Sequence, residues 1–307
     1  MTVARAVDLL KAGAAADVAE AVSLLANAAR SGDPEGSNRL ATLAAAGIGM
    51  RKSWSRAMAH LFSAALAGSA SARGQLRAMA SDRRLAEAND SAPNYWRALS
   101  AHVNLEDWIR PCEKRVLNAS PRTVAIEAFI LRPVCDWIIS CAAGRLQPAL
   151  TYAEGSATAV RSEGRNNSAL ELGLIDCDVA ALLLRQRIAA TIGVPAGALE
   201  TSQVLHYAVG EQFARHYDYL DPSLPEVAER GQRIVTFLVY LNDAFDGGET
   251  DFPHLRLRHR GKTGDALYFG NLAADGAPDP RTLHAGLAPT SGEKWVFSQW
   301  IRNQAIV

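Results

Sequence analysis

Long apolar runs, paired cysteines and an excess of charge of either sign are all missing from this chain of 307 residues. No stretch approaches the roughly 20 apolar residues that a membrane-spanning helix needs. The Ala-rich start, MTVARAVDLLKAGAAADVAEAV, is interrupted by Asp8, Lys11, Asp17 and Glu20 before an apolar run reaches signal-peptide length. It reads as a mature N-terminus, and no membrane partner is expected. The 4 cysteines, Cys112, Cys135, Cys141 and Cys177, lack C-x-x-C spacing, so the expectation is reduced thiols in a cytoplasmic protein. Lys plus Arg equals Asp plus Glu at 32 each, which leaves no net field to attract nucleic acid, and none is expected as a partner.

What is present suits globular cores: 49% of residues are apolar and 21% charged, and the length suggests two domains. The halves follow different patterns. Residues 1–82 are rich in Ala and Leu, with apolar positions at intervals of three and four, which is helical periodicity. Within them, Ala21, Leu25, Ala28, Ala29, Gly32, Leu40 and Leu43 align at one constant offset with Ala57, Leu61, Ala64, Ala65, Gly68, Leu76 and Met79. Small Ala pairs let helices approach closely, and a Gly ends a helix, so the offset fits a helix-pair repeat. The pattern resembles Sel-one-like repeats, relatives of the tetratricopeptide repeats, which would serve scaffolding or bind a protein partner. An Ala-rich helical bundle with chance similarity is the alternative reading. Two copies are too few to bury their own faces, so this array is expected to lean on the rest of the chain.

Residues 83–114 read as a connecting helical segment broken at Pro93 and Pro111, and residues 115–307 as a second domain. There RTVAIEAFI is strand-like, while RPVCDWIISCAAG and DVAALLLRQRIAATIG are helix-like. After Ser202 come the short β-type runs QVLHYAV, RIVTFLVYLN, DALYFGN and KWVFSQWIR, separated by Gly, Pro, Asn and Asp. IVTFLVYL is apolar on both faces and suits a central strand. Many short strands without alternating helices predict an α+β fold in which a β-sandwich or jelly roll carries helices packed outside it.

The stretch FARHYDYLDP holds His216 and Asp218, which a strand would place on one face. With 7 His and 17 Asp in the chain, chance gives about 0.4 His-x-Asp pairs, so the pair alone reads equally as a strand-edge ion pair. A facial metal triad needs a second imidazole from a distant strand. Of the other candidates, His206 lies beside Tyr207 and would point away from it, while His254 and His259 sit in the Arg-rich run HLRLRHRGK, which reads as a solvated hairpin. His284, in RTLHAGLAP, is followed ten residues later by Lys294, which opens KWVFSQWIR. A buried Lys is costly unless an anion meets it, so a diacid between these two strands would suit it. GRNNS and DAFDGG read as loops.

Taken together, QVLHYAVGEQFARHYDYL, RIVTFLVYLNDAFDGGETDFP, GDALYFGN and LHAGLAPTSGEKWVFSQWIR resemble, in order, the catalytic domain of prolyl 4-hydroxylases, which are iron(II)- and 2-oxoglutarate-dependent dioxygenases. The resemblance implies a double-stranded β-helix (jelly-roll) domain. It implies an enzyme that couples decarboxylation of 2-oxoglutarate to succinate with hydroxylation of an unactivated C–H, with O₂ as cosubstrate and ascorbate as a reductant. His216, Asp218 and His284 match the iron ligands. Lys294 matches the residue that pairs with the far carboxylate of 2-oxoglutarate, Tyr207 and Thr250 its hydroxyl partners, and Trp300 a wall of the same pocket. Arg233 and Arg302 match positions near the substrate mouth. Phe213 stands where the family often carries a Tyr that helps hold the substrate, and GRNNSALEL replaces a Ser/Thr-rich stretch. Asp218 argues against a halogenase of the superfamily, in which a small residue vacates that position. A peptide or protein substrate, prolyl among them, is the first reading. A free amino acid or small metabolite is the second, and a non-catalytic repeat scaffold that senses 2-oxoglutarate is the third.

Overall fold

The computed structural model describes residues 2–80, 93–152, 159–160 and 164–305. Residues 83–92 of the expected connecting segment lie outside this range. The chain divides into two compact units, one made of Met1–Arg110 with Leu172–Arg187 and the other of Pro111–Glu171 with Ile188–Val307. The return of Leu172–Arg187 to the first unit is not contained in a boundary drawn along the sequence at residue 83 or 115.

The first unit opens with α1 (Thr2–Ala12), α2 (Ala15–Arg30), α3 (Pro34–Ala46), α4 (Trp54–Leu66) and α5 (Ala70–Met79), and the helices Pro93–Ala101 and Leu105–Ile109 follow. Each of the first five packs on the next in sequence. Ala6, Leu10, Ala21, Leu25, Leu40 and Leu43 form one buried cluster, onto which Leu174 and Ile175 pack from the returning segment. Small residues set the spacing: a Cβ on Gly36 would stand 2.8 Å from Ala28 Cβ, so α2 and α3 meet at backbone distance there. The Asp33 carboxylate accepts from Gly36 N at 2.9 Å and caps α3, and Ser69 Oγ accepts from Ala72 N at 3.2 Å and caps α5. Each cap follows a glycine in the left-handed region, Gly32 at φ +84 and Gly68 at φ +97. Both correspondences fall at the offset seen in the sequence. Gln75 is fully buried. Its Nε2 donates to Asn38 Oδ1 and Ser71 Oγ, each at 3.2 Å, and its Oε1 accepts from Val179 N at 2.9 Å at the start of the helix Val179–Ile192.

The second unit is built on strands. They are β1 (Arg115–Asn118), β2 (Thr123–Ile126), β3 (Gln147–Pro148), β4 (Thr151–Tyr152), β5 (Ala159–Val160), β6 (Ser168–Leu172), β7 (Ser202–Tyr207) and β8 (Phe213–His216). The later ones are β9 (Arg233–Tyr240), β10 (Phe245–Gly247), β11 (Thr250–Phe252), β12 (Leu257–His259), β13 (Ala266–Gly270), β14 (His284–Gly286), β15 (Pro289–Gly292) and β16 (Lys294–Arg302). An eight-stranded sheet runs in the order β1-β2-β13-β9-β16-β7-β6-β3, and a four-stranded sheet in the order β12-β11-β14-β8. RIVTFLVY, β-branched and aromatic on both faces, becomes the inner strand β9, flanked by β13 and β16. Leu205, Tyr207, Tyr240, Leu267, Phe269 and Val296 of the larger sheet close on Phe252 of the smaller one, so the two sheets face each other across one apolar layer. RPVCDWIISCA forms the helix Arg132–Ala142, as its apolar spacing predicts, and buries Val134, Cys135, Ile138 and Ala142. Among the described residues no helix is long and apolar enough to cross a membrane, and none of the four cysteines forms a disulfide.

Candidate active site

Antiparallel pairing of β8 with β14 sets His216 directly opposite His284. Asp218 does not share a strand with His216, as an alternation argument predicts. β8 ends at His216, and the carboxylate comes round in the bend that follows. The three side chains nevertheless converge: each offers a ligand atom within 4.8 Å of the others. His216 Nε2 lies 3.6 Å from Asp218 Oδ1, and His284 Nε2 lies 3.3 Å from Asp218 Oδ2.

Tautomers follow from the backbone. His216 Nδ1 is 2.8 Å from the Ala214 carbonyl and His284 Nδ1 is 3.0 Å from that of Thr282. A carbonyl can only accept, so each Nδ1 carries the proton and donates, leaving the Nε2 lone pairs turned toward the carboxylate. Burial, reinforced by His284 nearby, holds the His216 imidazole below its ordinary value and favours its neutral form. Burial alone would raise the Asp218 carboxyl, but the charge and hydrogen bonds that His284 and His216 supply when protonated outweigh it and hold the group well below the usual carboxylate range. Two neutral nitrogen donors and one carboxylate on one side of a small space suit a borderline divalent ion such as iron(II). The surroundings are apolar. The Phe213 ring stacks on His216 at 3.5 Å, and Phe269 meets His284 edge-on at 4.7 Å.

The triad stands at the edge of a cavity between the sheets. Its floor comes from alternate positions of three adjacent strands: Gln203, Leu205 and Tyr207 on β7, Thr236 and Leu238 on β9, and Lys294, Val296, Ser298 and Trp300 on β16. Lys294 sits opposite Tyr207 in register, and Trp300 opposite Thr236. Thr250 and Gly286 line the cavity from the smaller sheet. A Cβ on Gly286 would lie 3.3 Å from the Tyr207 hydroxyl, so glycine there leaves the phenol its room.

Lys294 is 2% exposed and has its Nζ 5.0 Å from the centre of the Tyr207 ring. No carboxylate pairs with it among the described residues. Burial pushes its pKa down from 10.5 to about 8, against the pull of Glu249. Thr250 Oγ1 and Tyr240 Oη are 3.0 Å apart, and burial pushes the Tyr207 phenol up to about 12, so both hydroxyls remain protonated. A buried ammonium with hydroxyl groups beside it fits the far carboxylate of a short diacid whose other end reaches the triad.

The remaining expected residues separate. Trp300 lines the cavity, and Arg233 lies 3.7 Å over its ring while its guanidinium grips both Glu200 oxygens at 2.8 and 2.9 Å. Arg302 is not at the mouth. It is 1% exposed, donates to Glu200 Oε1 and the Gly231 carbonyl at 2.7 Å, and also reaches Glu226, so its role is to hold the strand ends. His206 bonds Glu293 at 2.7 Å and packs on Trp295, away from the triad. His254 is exposed and His259 lies against Tyr240, while Arg258 and Arg260 on the same hairpin face Asp251 and Asp246. Sequence reasoning missed Arg165. It lies in the run read as a loop, is 6% exposed and lines the cavity with its guanidinium 4.5 Å over Phe213. It also missed Thr236, whose only signal was its even spacing from Leu238 and Tyr240 on β9.

Residues 202–302 match the family described as the 2OG-Fe(II) oxygenase superfamily. Prolyl 4-hydroxylase 1 of Arabidopsis thaliana is 30% identical over 204 residues, which is 62% of this chain and 72% of that protein. Prolyl 4-hydroxylase 5 of the same plant is 32% identical over 216 residues, 64% of this chain and 72% of that one. Among solved structures, the viral collagen prolyl hydroxylase of Paramecium Bursaria Chlorella virus-1, in its 2OG complex, is 27% identical and covers 60% of this chain and 96% of its own, with a TM-score of 0.45. The chain belongs to the prolyl 4-hydroxylase family of iron(II)- and 2-oxoglutarate-dependent oxygenases.

Proposed function

We propose that this enzyme hydroxylates prolyl residues of a peptide or protein. The observation that carries the dioxygenase chemistry is the coexistence, in one cavity, of the His216, Asp218 and His284 cluster with a buried Lys294 that no carboxylate among the described residues pairs with. The prolyl preference rests on the Arabidopsis relatives, which are named for it. In this reading His216, Asp218 and His284 would hold iron(II), with the Nδ1 protons of the two histidines committed to backbone carbonyls. Lys294 takes the far carboxylate of 2-oxoglutarate, and Tyr207 and Thr250 offer hydroxyls to it. Phe213, Phe269 and Trp300 keep water from the reacting space. Bound iron(II) and 2-oxoglutarate would supply the oxidation of a substrate C–H by O₂, coupled to decarboxylation to succinate, with ascorbate as reductant.

The larger frame is read as a double-stranded β-helix, supported by the two facing sheets and the placement of His216 and His284 on the smaller one. Helices α2 to α5 are read as two Sel-one-like repeats, supported by the matching caps at Asp33 and Ser69.

The test is incubation with iron(II), 2-oxoglutarate, ascorbate and proline-containing peptides, followed by mass spectrometry and succinate measurement. A peptide that gains one oxygen at proline, with matching succinate, supports the reading. Oxygen gain on free proline or another metabolite, with every peptide unchanged, refutes it. Iron and 2-oxoglutarate binding without any turnover would favour the sensor.

A further inference from the structure

Behind the triad, Asp218 is tied to a second layer of side chains. Thr236 Oγ1 lies 2.7 Å from Asp218 Oδ2, and Asn271 Nδ2 lies 3.1 Å from Thr236 Oγ1. Thr236 is 2% exposed and Asn271 is fully buried, so solvent does not compete for these bonds. The direction of the chain is forced. An ionised carboxylate only accepts, so the single hydroxyl proton of Thr236 must go to Asp218. Thr236 can then only accept from its other neighbour, which requires Asn271 to present its NH₂ and not its carbonyl oxygen. That orientation leaves Asn271 Oδ1 buried with no hydrogen-bond partner among the described residues. An unpartnered buried amide oxygen is destabilising, so the arrangement costs stability where it stands.

We infer that Asn271 and Thr236 form a hydrogen-bond relay that orients Asp218 as a metal ligand. The relay rests on the iron reading of the triad. Its physical content is specific. The Thr236 proton occupies one lone pair of Oδ2 and fixes the plane of the carboxylate, which otherwise follows Arg233 Nη1 at the Asp218 carbonyl and the two imidazoles. A carboxylate held in this way would present its Oδ1 to an ion while Oδ2 is engaged by the threonine. Asn271 touches neither ion nor carboxylate and acts only by aiming the threonine proton, so both are positioning residues. Partners that hold a metal ligand typically change metal affinity by 10–100-fold when removed.

The test is metal affinity alone, without turnover. Anaerobic binding of iron(II), and separately of cobalt(II) followed through its visible absorption, is measured for wild type, Thr236→Val, Thr236→Ser, Asn271→Ala and the double variant, with thermal unfolding of each metal-free protein. Thr236→Val keeps the shape and removes the donor, and its dissociation constant is expected to rise by roughly 10–100-fold. Thr236→Ser restores binding to within about threefold. Asn271→Ala weakens binding less than Thr236→Val does, by roughly two- to tenfold, because it removes one neutral hydrogen bond. The double variant binds no more weakly than Thr236→Val, because Asn271 has no route to Asp218 except through the hydroxyl. A Thr236→Val protein that folds and binds metal like wild type overturns the relay and leaves the iron reading intact. Failure of wild type itself to bind either metal overturns both. Should Thr236→Val not fold, the Thr236→Ser and Asn271→Ala pair decides: unchanged affinity in Asn271→Ala refutes the relay, as does a Thr236→Ser loss as large as that of His284→Ala.

Discussion

Replacing Lys294 with Met should move two properties in opposite directions. The ammonium is 2% exposed, and burial lowers its pKa from 10.5 to about 8. A depression of that size costs the folded, ligand-free protein about 3 kcal/mol at pH 7, where the unfolded chain carries the same charge in water. Lys294→Met removes that cost and keeps the length of the stem, so the variant without cosubstrate should unfold at a higher temperature than wild type. The cost fades as pH rises. Between about pH 8 and 10.5 the unfolded chain binds the proton and the folded one does not, so wild-type stability gains with rising pH across that window, and the variant lacks the gain. Binding should go the other way. Removing one partner of a desolvated charge pair costs about 2–5 kcal/mol, or roughly 30-fold to 4,000-fold in affinity for 2-oxoglutarate. Metal affinity should stay within about threefold, because Lys294 touches none of the triad. Wild-type cosubstrate affinity should also weaken above about pH 8, as the ammonium loses its proton. Isothermal titration with 2-oxoglutarate in the presence of manganese(II), together with thermal unfolding of the ligand-free proteins, reads both quantities. A Lys294→Met protein that binds 2-oxoglutarate within threefold of wild type, or that unfolds at a lower temperature, refutes the assignment.

Three further outcomes are expected. His284→Ala should abolish both iron(II) binding and substrate-independent succinate formation while leaving 2-oxoglutarate contact at Lys294 untouched, and retained metal binding by anaerobic titration would contradict the triad. Glu200 is gripped by Arg233 and Arg302, whose hydrogen bonds and charges overcome its burial and hold its carboxyl below the ordinary 4.5. Its contribution is therefore present above about pH 4.5 and lost as pH falls below it. Glu200→Ala should cost about 3–5 kcal/mol in denaturant unfolding, because two largely buried guanidinium groups lose the carboxylate they share. Gln75→Leu should cost about 1–3 kcal/mol in the same assay, since Val179 N and Asn38 lose a fully buried bond, and it should leave metal affinity unchanged.

The sheet was readable where side-chain alternation is strict. RIVTFLVYLN announces an inner strand because both its faces are apolar, and the even spacing of Lys294, Val296, Ser298 and Trp300 in KWVFSQWIR is that of one strand face. His216 and His284 were reachable only as a set, because neither stretch alone exceeds chance. Other features depend on what the chain meets after folding. Arg165 sits in GRNNS, a polar run that reads as solvated loop, and nothing local signals that its guanidinium is covered by Phe213. Arg302 was misplaced for the opposite reason: alternation gives its face on β16 but says nothing of Glu200 and Glu226, which arrive from elsewhere and enclose it. Asn271 follows the end of β13, and its link to Asp218 passes through a third strand, so no spacing rule connects them.

The return of Leu172–Arg187 to the helical unit makes that unit discontinuous in the chain. Leu174 and Ile175 belong to the cluster of α1 to α3, Leu182 packs with Ala44, Ala45 and Ala57, and Gln75 caps the backbone at Val179. Shortening the protein at Pro111 would therefore not release a free-standing oxygenase. It would leave a strip of leucine and isoleucine without its cover, ahead of the strand that carries Tyr207, and such a fragment would be prone to clumping. A graft of the oxygenase elsewhere is therefore expected to need the helices that cover Leu172–Arg187.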